Sequence, residues 1–73
     1  MNKATLQTYV RANINNVPRS AETITAIIQE QLPKEDIKPN QVNVILLQLH
    51  NAGIIRCNGD PNKQTMYDIS YFI

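Results

Sequence analysis

Between Lys38 and Arg56 the chain reads KPNQVNVILLQLHNAGIIR. Val42, Ile45, Leu46, Leu49 and Gly53 recur there at spacings of three and four, the repeat of an α-helix with one apolar face. At about 100° per residue they share that face, with Ala52 at its edge. Gly53 supplies a stop, because a residue without Cβ takes the left-handed conformation that closes a helix. Ile54-Ile55-Arg56-Cys57 follows at once and reads as a strand. A helix that ends in Ala-Gly and turns directly into an Ile-rich strand is a distinctive arrangement in a short chain.

Seventy-three residues make a single domain, spanning 1–73, with one hydrophobic core. Such a domain is marginally stable alone, so a partner covering apolar surface would help it. Charged residues, at 18%, run below the usual quarter, and the polar surface is rich in Asn and Gln instead. Seven Lys and Arg against six Asp and Glu leave a net charge of +1, which does not by itself announce a nucleic-acid binder. Cys57 is the lone cysteine, so no intrachain disulfide is possible. No signal peptide and no apolar run near twenty residues is present, so no membrane partner and a cytoplasmic or nuclear location are expected. Met1 suggests a complete small protein or the N-terminal module of a larger one.

Ahead of the central segment, Leu6, Tyr9, Val10 and Ile14 mark the buried side of a first helix over about Ala4 to Asn13. Lys3 and Arg11 fall on its other side. Asn15-Asn16-Val17-Pro18 breaks that helix. Ser20 is the N-cap expected for a second helix, with Glu22 complementing its positive end. Ile24, Ile27, Ile28 and Leu32 form the buried stripe of the second helix, and Pro33 ends it. Ile37 anchors the link to the third helix, Pro39 suits that helix's first turn, and Lys38 and Asn40 remain alternative caps. After Gly53, strands are expected at Ile54–Cys57 and Gln64–Ser70, with Asn58 to Lys63 as the tip between them. In the second strand Thr65, Tyr67 and Ile69 alternate with Met66, Asp68 and Ser70, so one face packs inward and the other is wet. Tyr71-Phe72-Ile73 is an apolar tail that covers the domain's own core or pairs with a second copy, which leaves a homodimer open.

The run Leu46-x-x-Leu49-x-x-Ala52-Gly53-Ile54-Ile55-Arg56 resembles the third helix and first wing strand of winged helix-turn-helix domains. The resemblance covers most of the chain and implies a small α+β fold: three helices followed by a C-terminal β-hairpin wing. The link before the third helix is longer than the tight turn of the simplest helix-turn-helix proteins. In spacing, Asn43-x-x-x-Leu47 with Gly53 and Met66-Tyr67 is also similar to Zα domains, which bind left-handed duplexes. Here Leu47 stands where those domains have Tyr, Gln64-Thr65 where they have prolines, and Tyr67 where they have Trp.

An enzyme is not expected. Catalysis needs a base, an orienting group and a nucleophile converging in one pocket, and no motif surrounds His50 or Cys57. His50, at the margin of the helical core face, reads as a hydrogen-bonded structural histidine, and Cys57 as a small buried hydrophobe. Metal ligands are too few for a zinc site, and no cofactor is expected. Tyr9 and Tyr67 read as packing residues.

What the resemblance implies is duplex DNA binding, in control of transcription or replication. Asn40, Gln41, Asn43, Val44 and Leu47 on the outward side of the third helix would meet base edges, with Gln48 and Asn51 on or beside that face. Asn and Gln pair bidentately with adenine, and Val44 suits a thymine methyl. Arg19, Ser20 with the free N–H groups of the second helix, Lys38, Arg56 and Lys63 would meet phosphates. The alternative is a winged-helix module that binds a protein partner through Val44 and Leu47, an adaptor or inhibitor with little or no DNA binding. The absence of Arg or Lys in the third helix after Lys38 favours that alternative.

Overall fold

A computed structural model describes residues 1–73 as three helices and two short strands in the order α1 (Lys3–Ala12), α2 (Ala21–Gln31), α3 (Pro39–Asn51), β1 (Arg56–Asn58) and β2 (Ser70–Phe72). This is a small α+β domain, with the antiparallel hairpin at the C-terminal end. No helix is long and apolar enough to cross a membrane.

Each helix begins where side-chain chemistry satisfies its free N–H groups. Asn2 caps α1, its Oδ1 accepting from Thr5 N–H at 2.8 Å. Ser20 caps α2 as expected, its Oγ accepting from Thr23 N–H at 3.2 Å. At α3 the cap position is Lys38, not Asn40, and Gln41 reaches back so that its Oε1 accepts from Lys38 N–H at 3.0 Å. α3 closes with Gly53 N–H donating to His50 O and Ile54 N–H to Leu49 O, both at 3.0 Å, around Gly53 at φ 75°. This paired closure is the Schellman arrangement, and it reverses the chain into the hairpin.

The core lies between the three helices and the sheet. Leu6, Val10 and Ile14 enter it from α1 and its exit, and Ala21, Ile24 and Ile28 from α2. Val42, Ile45, Leu46 and Leu49 enter it from α3, as the helical repeat requires. Ile37, Ile55, Ile69 and Tyr71 complete it, with Tyr9, Leu32, Cys57 and Met66 packed at its margin. The link between α2 and α3 is fixed by Gln29. Its Nε2 donates to the carbonyls of Leu32 and Glu35, and its Oε1 accepts from Ile37 N–H at 3.1 Å.

The sheet departs from the expected strands. β1 and β2 pair as Arg56–Phe72, Cys57–Tyr71 and Asn58–Ser70, so the second strand is the segment read above as an apolar tail. Tyr71 is 1% exposed and belongs to the domain's own core. On the other edge of β2, Tyr71 and Arg19 exchange both backbone hydrogen bonds, at 2.8 and 3.1 Å, and Ile73 N–H donates to Asn15 O at 2.9 Å. β2 is therefore held from both sides. Ile54 and Ile55 lie in a bend before β1, with Ile55 buried and Ile54 exposed.

Most of the expected Gln64–Ser70 strand is turn. Asp68 N–H donates to Thr65 O at 3.0 Å, and Thr65 Oγ1 to Asp68 Oδ2 at 2.9 Å, which curls the chain instead of extending it. Neither alternating set forms a buried face: Ile69 is buried, but Thr65 is exposed and Tyr67 is 60% exposed, so Tyr67 is not a packing residue. The tip is a second turn, with Asp60 Oδ1 accepting from Asn62 N–H at 2.9 Å and Gln64 Oε1 from Asp60 N–H at 2.7 Å.

Candidate nucleic-acid interface

α3 packs on α1 and α2 by its apolar face, so its opposite face stands clear of the helices. Asn40, Gln48 and Asn51 are exposed on it, and their side chains make no hydrogen bond within the chain. Val44 stands among them at 49% exposure. Gln41 is exposed, but its carbonyl oxygen is committed to the Lys38 cap. Asn43 is half-buried, and its Oδ1 is fully buried with no hydrogen-bond partner.

The face is a ridge between two grooves. On one side Gln41 and Val44 look across to Met1, Asn2, Lys3 and Leu6 at the start of α1. On the other, Leu47, His50 and Asn51 face Asp60, Pro61 and Asn62 of the hairpin loop. Leu47 is half-buried; Val44 lines the first groove and Leu47 the second. Lys3, read from the sequence as lying on the far side of α1, lines the same groove as Val44. Its position follows from the crossing of α1 over α3, which no local pattern encodes.

The residues assigned to phosphate are dispersed. Arg19 is half-buried, and its Nη1 donates to Asn13 O and Asn15 Oδ1, both at 3.2 Å. Ser20 Oγ is occupied by the α2 cap and by Thr23 Oγ1 at 3.1 Å. Lys38 Nζ lies 3.2 Å from Asp36 Oδ1, but both side chains are largely in water. An exposed pair of that kind contributes about 0–1 kcal/mol, so Lys38 is readily released to another anion. Arg56 on β1 and Lys63 in the loop are exposed and make no ion pair. Asp60 places a carboxylate in the loop-side groove, where it opposes a phosphate.

The sulfur, phenol and imidazole groups lie beneath this surface. Cys57 is half-buried, and burial pushes its thiol above the usual value, with the Asp60 charge adding to the rise. Burial pushes the Tyr71 hydroxyl up to about 12, with Cys57 contributing second. Both shifts disfavour ionisation, the opposite of what an activated nucleophile needs. His50 Nδ1 is buried without a hydrogen-bond partner, which corrects the expectation of a hydrogen-bonded histidine. No cluster of three or more His, Cys, Asp or Glu side chains is placed to hold a metal ion.

Compared with known proteins, the chain matches no family model, no curated protein and no solved structure.

Proposed function

We propose that this chain is a winged helix-turn-helix protein that binds duplex DNA with α3 in the major groove and the β1–β2 loop against the neighbouring backbone. The observation that carries the reading is the free face of α3. Its exposed amides at Asn40, Gln48 and Asn51 have no partner in the chain, while Val42, Ile45, Leu46 and Leu49 on the opposite face are packed. Amides on a protruding helix are groups that base edges satisfy. The helix-helix-helix-hairpin order, and the pairing of the Asn15–Arg19 segment with β2, support the winged-helix assignment. Lys38, Arg56, Lys63 and Lys3 supply the cations for phosphate contacts. A role in transcription or replication control follows from such binding, and a homodimer would set two α3 helices on successive turns of one duplex face.

Removing a phosphate contact weakens binding to every sequence alike and flattens the salt dependence. Lys63→Ala is therefore expected to lower affinity for unrelated duplexes by a similar factor, and to reduce the slope of log K against log salt by about 1. Fluorescence anisotropy with two unrelated labelled duplexes checks this. Unchanged affinity and slope would remove Lys63 from the interface.

A second reading is favoured by Val44, half exposed in a groove whose far wall includes Met1 and Leu6. An apolar groove of this kind suits a side chain from a protein partner. Under that reading Val44→Asp abolishes a protein complex and leaves duplex affinity untouched. A duplex titration of the variant separates the two.

A further inference from the structure

We infer that α3 reads a short run of A·T pairs through Asn40, Val44 and Gln48, an inference that rests on the DNA-binding reading above and narrows its target. In the major groove adenine offers an acceptor at N7 and a donor at N6, which a side-chain amide matches with its N–H and its carbonyl together. Thymine offers a methyl group, which an aliphatic side chain meets. Guanine offers two acceptors, N7 and O6, and these call for Arg or Lys.

α3 has no Arg or Lys beyond its cap residue Lys38, so the guanine-reading groups are missing from the face. Two amides that the sequence places there are withdrawn by the fold. Gln41 gives its carbonyl oxygen to Lys38 N–H at 3.0 Å. Asn43 has its Oδ1 end buried. Turning that amide over would bury its N–H₂ end instead, so in neither orientation does it present both groups to a base. Asn40 and Gln48 remain exposed, with neither amide hydrogen-bonded within the chain.

Asn51 is free as well, but its groove holds Asp60, whose carboxylate repels a phosphate there, so the loop would meet the backbone through Lys63 and not from this groove. The reading window is therefore the N-terminal two thirds of α3. From Asn40 to Gln48 the helix rises about 12 Å, at about 1.5 Å per residue. That is three to four base steps at about 3.4 Å each. Val44 sits midway along it, half exposed. Lys38 stands at the start of the window, and Lys3 lines the groove beside Val44.

The test is selection from a randomised duplex library with the full chain, followed by titration of the enriched site carrying base analogues. The expected result is a core of about three to four A·T pairs. Replacing its adenines with 7-deazaadenine, which removes N7, should weaken binding about tenfold or more per contact, and replacing thymine with uracil should weaken it less. In Asn40→Ala or Gln48→Ala the 7-deazaadenine penalty should disappear at one position each, while Asn43→Ala keeps the full penalty. The analogue series on the unaltered chain needs no variant to fold. A G·C core, no enrichment, or indifference to both analogues with duplex binding intact overturns the A·T inference and leaves DNA binding standing. No duplex binding at low salt overturns both.

Discussion

Gly53 and Gly59 both hold positive φ, 75° and 118°, but their surroundings differ. A Cβ on Gly53 meets nothing within 4 Å, whereas on Gly59 it falls 2.7 Å from Ile69 Cγ2 and from Gln64 Oε1. Gly53→Ala should therefore cost only left-handed strain, about 1–2 kcal/mol. Gly59→Ala adds overpacking against a buried isoleucine and the turn-forming glutamine, for roughly 2–4 kcal/mol in all. Urea denaturation midpoints of the two variants check the order. Tyr71 carries a second residue-scale expectation. Its hydroxyl is buried without a partner, and its pKa is raised from 10.0 to about 12. Folding thus favours the neutral phenol. That stabilisation is complete below the unfolded value of 10.0 and is lost as pH rises through about 12, because the unfolded chain gives up the proton first. Tyr71→Phe removes the titration and the unpartnered hydroxyl together. It should flatten the alkaline decline in urea midpoint while changing stability little near neutral pH. A decline as steep as the wild type's would contradict this.

At the scale of elements, the α2–α3 link depends on one side chain. Gln29→Ala leaves Ile37 N–H and the Glu35 carbonyl without this partner, and leaves the Leu32 carbonyl with Glu35 N–H alone. A destabilisation of about 1–3 kcal/mol is expected, and Gln29→Glu should not restore it because a carboxylate cannot donate to the two carbonyls. Thermal unfolding of both variants checks it. The helices were legible in the sequence because Val42, Ile45, Leu46 and Leu49 announce a period that burial then obeys. The hairpin was legible in existence but not in place. Ile54-Ile55 has strand chemistry, yet Ile55 fills the core from a bend, and β2 is set by Tyr71 pairing with Arg19, more than fifty residues away in sequence. Alternation at Thr65–Ile69 looked like a strand because the Thr65–Asp68 side-chain bond that curls it leaves no periodic trace. The outward face of α3 was read from the wheel, but the withdrawal of Gln41 and Asn43 depends on the cap and on burial.

Over the whole molecule, a net charge of +1 means that nucleic-acid affinity rests on where the cations stand rather than on their number. Arg19 is tied to the α1–α2 loop, while Lys38, Arg56 and Lys63 remain available around α3 and the hairpin. With Lys3 beside Val44, about four phosphate contacts give modest affinity with a log–log salt slope of about −3 to −4. The most direct measurement is an anisotropy titration of the full chain against a labelled duplex of random sequence, at low and near-physiological salt. The DNA-binding account expects saturable binding at low salt that weakens with that slope. No binding at low salt would contradict it and leave the groove beside Val44 as the functional surface.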